Sequence, residues 1–152
     1  MKKVYWFLVK IARIYWKIFK PKTYGSRAII IFEDKEILLV KNVASKHWSL
    51  PGGHIKKNET PEDCIAREIK EELSISVKLK YKLGDFLSRQ EGKKDTVYIF
   101  VVKVLDKSFK KTYELEDAKW FDISNLPENI SPAGMRRIKE CVEGRRNIIG
   151  KW

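Results

Sequence analysis

The sequence predicts an α/β domain in which helices pack on the faces of a mixed β-sheet. Two observations indicate this class: short apolar, β-branched runs recur between polar turns, and two segments carry apolar residues at helical spacing. Of the 152 residues, 43% are hydrophobic and 34% are charged. These values suit one globular domain with an N-terminal extension, since about 125 residues can bury one adequate core.

The predicted strands follow the apolar runs in chain order, and the first two flank the turn 33–36 as a hairpin. The strand segments are 28–32, 37–40, 77–87, 96–105 and 118–122. The fourth is rich in β-branched and aromatic residues, and the last contains Trp120 and Phe121. Residues 132–143 carry Met135, Ile138 and Val142 at helical spacing, which predicts a closing helix.

The strongest helix signal begins at Thr60. Thr60 is a good N-cap, Pro61 suits the first helical position, and Asp63 stands where the third residue of a capping box reaches back. The apolar residues that follow at helical spacing are Ile65, Ala66, Ile69 and Leu73. They occupy an arc of about 100°, so one face of this helix is predicted to pack on the core.

Three glutamates, Glu68, Glu71 and Glu72, occupy the adjoining arc together with Cys64. Residues three and four apart on a helix are neighbours about 5–6 Å apart at Cβ, so these carboxylates repel one another. A hard cation with oxygen ligands removes that cost, and Mg²⁺ fits best, with Mn²⁺ as a substitute. The alternative for any acidic helix face is simple solvation.

The loop 48–53 and the helix together resemble the Nudix box, whose pattern is Gly, five residues, Glu, seven residues, Arg-Glu-aliphatic-x-Glu-Glu-x-Gly-aliphatic. The residues in register are Gly53, Glu59, Arg67, Glu68, Ile69, Glu71, Glu72 and Ile75. Ser74 departs from the pattern, which has glycine there. A left-handed conformation after the helix costs a residue with a Cβ about 1 kcal/mol, so this change concerns stability and leaves the ligands intact.

The resemblance extends over about residues 24–145 and implies the Nudix fold, an α/β/α sandwich with a mixed β-sheet. It implies Mg²⁺-dependent hydrolysis, by attack of water at phosphorus, of a nucleoside diphosphate linked to another moiety. A nucleoside triphosphate, ADP-ribose and a nucleotide sugar are all substrates of this type. The alternatives are an RNA 5′-end pyrophosphohydrolase, which the pI near 9.7 favours, and a non-catalytic nucleotide sensor.

The resemblance also implies roles for the residues of the box. Metal ligands are expected at Glu68, Glu71 and Glu72 and at the backbone carbonyl of Gly53. Glu59 and Arg67 are expected to support them, Arg67 by fixing the geometry of the carboxylates.

The general base and the substrate contacts are less defined. The base is either Glu68 or an acid of a later loop, and the loop candidates are Glu114, Glu116 and Asp117. The weak candidates for substrate binding are Arg89, Trp48 and His54, with Tyr81, Phe86 and Tyr98 also available for stacking. Each has an ordinary structural alternative as a core, hairpin or surface residue.

Residues 1–22 form a separate unit with seven basic residues and no acid before Glu33, which is more than half of the net charge of +12. Five of them gather on one stripe of a predicted amphipathic helix, which Pro21 ends: Lys3, Lys10, Arg13, Lys17 and Lys20. Charges at positions 10, 13 and 17 interrupt any transmembrane span, and no signal-peptide cleavage site follows. This helix suits an anionic membrane surface, packing on the domain, or a homodimer interface, with nucleic-acid contact as a weaker alternative.

The sequence thus divides into a basic helix (1–22), a hydrolase domain (23–147) and a frayed basic tail (148–152). The two cysteines, Cys64 and Cys141, have no metal-binding spacing, and with no export signal they predict reduced thiols in a cytoplasmic protein. The basic helix would then place it peripherally at the inner face of the membrane.

Overall fold

The computed structural model describes residues 11, 22–89 and 94–152. Over 22–89 and 94–152 the chain forms two helices, α1 (Pro61–Leu73) and α2 (Pro132–Val142), and seven strands. The strands are β1 (Lys22–Phe32), β2 (Glu36–Asn42), β3 (Gly52–His54), β4 (Lys78–Ser88), β5 (Lys94–Val104), β6 (Leu115–Asp122) and β7 (Ile148–Lys151). The amphipathic helix predicted for 1–22 lies outside the described residues, apart from its positions 11 and 22.

The seven strands form one mixed sheet, six of them in the order β6-β2-β1-β5-β4-β7. Strand β3 lies on the same side of β1 as β2, where β2 pairs with residues 30–32 of β1 and β3 pairs with residues 25–27. Strand β1 runs parallel to β5 along its whole length, and β4 runs parallel to β7, whereas the other pairs are antiparallel. The predicted class, a mixed sheet with helices on its faces, is therefore confirmed.

Each face of the sheet buries its own apolar cluster, because successive strand residues point to opposite sides. On one face α1 contributes Ile65, Ile69 and Leu73, which are fully buried in the cluster that contains Phe100. On the other face α2 contributes Ile138 to the cluster that contains Phe86. Three residues of the apolar arc predicted for α1 are thus its packing face, whereas Ala66, which was placed on the same arc, is exposed.

The ends of α1 follow the predicted chemistry with one difference. The hydroxyl of Thr60 accepts a hydrogen bond from the N–H of Asp63 at 3.1 Å and donates to the Asp63 carboxylate at 2.7 Å, where a full capping box would bond the backbone. Ser74 adopts the left-handed conformation, with φ of 59°, and its N–H donates to the carbonyl of Lys70. The helix therefore stops where the resemblance expects glycine, at a residue that has a Cβ.

Two strands, β3 and β7, have no counterpart among the predicted elements. The frayed tail predicted for 148–152 is wrong, because Ile148–Lys151 form β7 and the N–H of Trp152 donates to the carbonyl of Leu87 at 2.8 Å. The segment is too short to show periodicity. Ile149 is 85% exposed while Ile148 packs against the core, so pairing with β4 accounts for its order.

Within the part of the chain that the structure describes, neither helix has the length and apolar character needed to cross a bilayer.

Candidate active site

Two glycines bring β3 against β1 and α1. At Gly52, where φ is +139°, a Cβ would overlap the carbonyl oxygen of Ser26 on the paired strand. At Gly53 a Cβ would lie 2.5 Å from the carboxylate of Glu68. Only glycine therefore allows the backbone at this turn to approach the acidic face of the helix.

Arg67 holds three carboxylates together. Its Nε and Nη2 donate to the two oxygens of Glu59 at 2.6 and 3.0 Å, a bidentate pair. Its Nη1 donates to Glu68 at 2.7 Å and to Glu71 at 3.1 Å. The Arg67 side chain is only 20% exposed, so its charge-assisted hydrogen bonds are strong and their geometry is fixed.

The same contacts shift the protonation of the group. Hydrogen bonds from Arg67 and from the N–H of Lys56 lower the pKa of Glu59 to about 2. The hydrogen bond to Glu59 raises the pKa of Arg67. Both members of this pair stay charged throughout the physiological pH range, so the Arg67 guanidinium is held in place beside Glu68 and Glu71.

Glu72 lies in a different environment from its two neighbours. One of its oxygens accepts a hydrogen bond from the N–H of Gly52 at 3.2 Å. Burial raises its pKa to about 7, and the charge of Glu68 adds to that shift, while the Gly52 N–H and the guanidinium of Arg27 oppose it. Near neutral pH this carboxyl is thus poised between its two forms, and a nearby cation would favour the ionised one.

The donor set fits a hard divalent cation, although the described residues contain no ready-made cluster of three acidic, histidine or cysteine ligands. The expected gathering of Glu68, Glu71 and Glu72 is therefore not seen, because Arg67 binds Glu68 and Glu71 while Glu72 turns to Gly52. Two observations support this fit. The carboxyl of Glu72 is buried with a raised pKa, and the space beside the Glu68 carboxylate is open only because Gly53 has no Cβ. The residues that could hold Mg²⁺ or Mn²⁺ are the three glutamates and the Gly53 carbonyl, all oxygen donors.

Arg27 on β1 is a site residue that the sequence did not single out. Its Nη1 donates to the carbonyl of Leu50 at 2.8 Å, and burial lowers its pKa while Glu72 and Glu68 oppose that shift. A half-buried cation therefore lies near two of the box carboxylates. The available signal was a lone basic residue directly before an apolar strand run, which by itself identifies no function.

The three loop acids lie in distinct surroundings. Glu114 is in the turn before β6 and its charge helps raise the pKa of Glu72, so it lies close to the box. Glu116 pairs with Lys41 at 2.9 Å, and Asp117 accepts from the N–H of Ala118 at 2.8 Å. Of the loop candidates, Glu114 is the one that the fold brings to Glu72.

The substrate-binding candidates also separate. Trp48 is 8% exposed and packs edge-on against Phe121 in the core, with ring centroids 4.9 Å apart. His54 lines a cavity beside β3, and its carbonyl accepts from Arg67 at 3.1 Å. Arg89 lines a separate cavity at the end of β4 with Trp152.

The remaining aromatic candidates serve the two cores. Phe86 is fully buried, Tyr81 packs against the same cluster, and Tyr98 packs against the opposite one. All three therefore serve as packing residues, which was the structural alternative to a stacking role.

Neither cysteine takes part in a disulfide. Cys64 is fully buried beneath β3, with its Sγ 3.4 Å from the carbonyl of His54, and burial raises its pKa to about 11. Cys141 is 8% exposed, and burial raises its pKa as well. These thiols stay protonated and unreactive at neutral pH.

The mixed sheet with one helix on each face, and the glycine turn packed against the glutamate-bearing helix α1, define the class of α/β domain to which the chain belongs. The NUDIX domain family matches residues 22–140. An ADP-ribose pyrophosphatase of Methanocaldococcus jannaschii is 35% identical over 104 residues, which are 65% of this chain and 62% of that protein. The chain belongs to the NUDIX family.

Two further similarities extend the comparison. The NAD-capped RNA hydrolase NudC of Vibrio atlanticus is 30% identical over 119 residues, 75% of this chain and 42% of that protein. The crystal structure of a MutT protein from Methanosarcina mazei superposes with a TM-score of 0.70 at 26% identity, covering 82% of this chain and 95% of that one. The chain thus spans only 62% of the length of the Methanocaldococcus protein and 42% of that of the Vibrio protein.

Proposed function

We propose that this chain is a divalent-metal-dependent pyrophosphohydrolase that cleaves a nucleoside diphosphate linked to another group by attack of water at phosphorus. The observation that carries the proposal is the arrangement at α1, where the Glu68 carboxylate lies against Gly53, Glu72 accepts from the N–H of Gly52, and Arg67 orients Glu68 and Glu71. The names of the relatives include an ADP-ribose pyrophosphatase, and ADP-ribose is a substrate of this type.

In this proposal Mg²⁺, or Mn²⁺ in its place, is held by the three glutamates and the Gly53 carbonyl and supplies positive charge against the phosphate oxygens. Glu59 and Arg67 position the carboxylates, since the bidentate Arg67–Glu59 pair fixes the guanidinium that contacts Glu68 and Glu71. Arg27 adds a second cation, whose charge interacts with Glu72 and Glu68, and is our candidate for a contact to the diphosphate.

The base that accepts a proton from the attacking water is either Glu68 or Glu114 in our proposal. Glu68 lies against Gly53 and is held by Arg67, which fixes its position. Glu114 is the loop acid near Glu72, whereas Glu116 is engaged by Lys41 and Asp117 by a backbone N–H. Glu114→Gln separates them at saturating Mg²⁺, because Glu114 is not a proposed metal ligand: a loss of turnover of about 100-fold or more identifies it as the base, and parent-like turnover leaves Glu68.

The proposal is tested by screening substrates with Mg²⁺ and identifying the products. The substrates are nucleoside triphosphates, dinucleoside polyphosphates, ADP-ribose, nucleotide sugars and triphosphorylated RNA. Glu72→Gln and Glu71→Gln should each lower turnover about 100-fold or more, because each removes a ligand charge and little volume.

The matched control is Glu62→Gln, which changes an exposed acid in the first turn of the same helix. It should leave the rate unchanged. Full activity of Glu72→Gln at saturating Mg²⁺, with no turnover lost, would remove Glu72 from the proposed set, and no hydrolysis of any substrate would contradict the proposed activity.

An RNA 5′-end pyrophosphohydrolase is the second candidate, favoured by the net charge of +12 and by the relative named as an NAD-capped RNA hydrolase. Phosphate-backbone binding depends steeply on salt. This candidate predicts that triphosphorylated RNA is the best substrate in the screen and that its KM rises with salt even in a shortened chain that starts at Tyr24. A salt-independent KM for RNA in that shortened chain would count against it.

A further inference from the structure

We infer that the cavity beside β3 is a nucleobase site in which Asp95 accepts hydrogen bonds from N–H groups of the base and Trp152 stacks on the ring. This inference rests on the proposed function, because it names the end of the substrate that lies away from α1. The base that fits best is guanine, whose edge presents two adjacent N–H donors to the two oxygens of one carboxylate.

The cavity has a volume of about 300 Å³ and continues directly from the glycine turn. Gly52, Gly53 and Arg27 line one end, and the charge of Arg27 interacts with the box carboxylates Glu72 and Glu68. Asp95 and Ser88 line the other end. This volume is at the lower limit of small-molecule sites and suits one flat ring system better than an extended ligand.

The polar end of the cavity is built by strand register. Asp95 on β5 is paired directly with Thr23 on β1 and with Ser88 on β4. Because directly opposed residues point to the same face of a sheet, these three side chains form one row across three strands. The row lies on rigid strands, which hold polar groups more precisely than loops do.

Asp95 is the residue of that row that needs a ligand. Its Oδ1 is buried and accepts no hydrogen bond from any residue that the structure describes. A buried carboxylate oxygen without a donor is unfavourable, and a carboxylate can only accept. A ligand that brings N–H groups would satisfy it, whereas a ligand edge made of acceptors would be rejected.

Trp152 is held in place as the aromatic wall of the cavity. The backbone N–H of Trp152 donates to the carbonyl of Leu87, and the centre of its ring lies 6.4 Å from that of Phe86. The buried Arg137 stacks 3.8 Å from the centre of Phe86 and donates to the carbonyl of Lys151 at 2.9 Å. These contacts anchor β7 and hold the indole beside Ser88, where a base entering the cavity would meet it.

The two ends of the cavity match the two ends of a nucleotide. Arg27 and Thr23 lie four residues apart on β1, a separation of about 13 Å along a strand. Arg27 faces Glu72 and Glu68 and would meet the diphosphate, while Thr23 stands beside Asp95. A nucleotide laid along β1 would therefore place its phosphates at the box and its base at Asp95.

The test measures binding of GMP and IMP to the full chain without metal. IMP differs from GMP only by lacking the exocyclic amine. Calorimetry should show GMP binding at least about tenfold more tightly than IMP, because a hydrogen bond to a charged acceptor is lost. In Asp95→Asn this ratio should fall to about threefold or less, since the amide no longer offers two acceptor oxygens.

Variants of Trp152 test the stacking contact. Trp152→Ala should weaken both ligands about tenfold without changing their ratio, and Trp152→Phe should restore most of the affinity. The control is Ile149→Ala, on the outward side of the same strand, which should bind GMP like the parent. Circular dichroism and thermal melting establish that each variant is folded.

Equal affinity for GMP and IMP in the parent, or an unchanged ratio in Asp95→Asn, would overturn the nucleobase site. The proposed hydrolase activity fails by a different result. Because binding of a monophosphate needs no turnover, selective GMP binding without hydrolysis of any phosphoanhydride would support the base site and contradict the hydrolase. Hydrolysis with no preference among bases would overturn the base site alone.

Discussion

The helices α1 and α2 have similar N-terminal sequences and similar packing on the sheet, but they have different roles. Each begins with a hydroxyl N-cap followed by proline, Thr60-Pro61 in α1 and Ser131-Pro132 in α2, and each packs on one face of the sheet. In α2 this contact uses Ile138, whereas Met135 and Val142, predicted on the same stripe, are exposed. Each also carries an arginine among carboxylates. The difference lies in where the partners of that arginine are placed.

In α1, Arg67 contacts three carboxylates at the edge of a cleft, and the Glu71 side chain remains 55% exposed. In α2, Arg137 is only 4% exposed and binds Glu140, the ring of Phe86 and the carbonyl of Lys151. The carboxylates that contact Arg67 are open to the cleft and can also bind a ligand. The groups that contact Arg137 are buried together with it. The same residue type therefore orients a reactive surface in one helix and fastens a strand in the other.

The largest expected effect is on stability, from Arg137→Leu. Removing Arg137 leaves the largely buried Glu140 with Arg145, 4.0 Å away, as its remaining described cation, which costs about 3 kcal/mol. Urea unfolding should show this loss as a lower midpoint. The double variant Arg137→Leu/Glu140→Leu should recover part of it, and a parent-like midpoint for the single variant would show that Arg137 does not anchor β7.

Arg67→Lys should have the opposite profile, with activity lost and stability kept. Lysine cannot make the bidentate contact to Glu59 while also reaching Glu68 and Glu71, so turnover should fall about 10–100-fold. The melting temperature should change by only a few degrees. Arg136→Lys, at an exposed position of α2, is the control, and equal turnover in both variants would refute an orienting role for Arg67.

The next effect is a pH dependence of metal binding that Glu72 should impose. Burial raises its pKa from 4.5 to about 7 in the metal-free protein, and a cation binds the ionised form. Calorimetric affinity for Mg²⁺ should therefore fall about tenfold from pH 8 to pH 6, with uptake of metal releasing a proton at the lower pH. Glu72→Gln should abolish this release, and a pH-independent affinity in the parent would contradict the assignment.

The raised pKa of Glu72 also makes the free energy of unfolding of the metal-free protein depend on pH, but this stability falls as the pH rises, whereas metal affinity increases. The folded chain holds a proton on Glu72 that the unfolded chain has already lost between pH 4.5 and about 7. Its contribution to the free energy of unfolding is thus fully present below pH 4.5 and is lost as pH rises to 7. Addition of Mg²⁺ should raise the melting temperature more at pH 8 than at pH 6.

The smallest effect is a gain from Ser74→Gly at the end of α1. Ser74 has φ of 59°, a conformation that glycine adopts without the Cβ penalty, so the variant should be about 1 kcal/mol more stable. Asn58→Gly is the comparison, because asparagine tolerates its φ of 64° better and should gain less. Loss of stability in Ser74→Gly would show that the hydroxyl serves another purpose.

The sequence predicted the elements whose patterns are long and local. The hairpin, the strands at 77–87 and 96–105 and both helices appear with bounds shifted by a few residues. The three-residue β3 and four-residue β7 are too short for periodicity, and both depend on partners far along the chain. Their prediction would have required the tertiary structure.

The same division applies to the candidate site. The box was visible because Gly53 and the α1 glutamates stand at fixed spacing on one helix and its loop. Arg27, Asp95 and Trp152 come from three separate strands or their ends, and only the sheet register brings them to one cavity. Helical spacing also overstated the gathering of carboxylates, because it could not show Glu72 turning to the N–H of Gly52.

The central claim is that the carboxylate face of α1 binds a divalent metal for hydrolysis. Titration of Mn²⁺ followed by electron paramagnetic resonance, on the parent chain and on Glu72→Gln with matched circular dichroism, tests it most directly. We expect saturable binding by the parent at pH 8 and at least about tenfold weaker binding by the variant. Equal binding by both proteins, or none by the parent with or without nucleotide, would contradict the account.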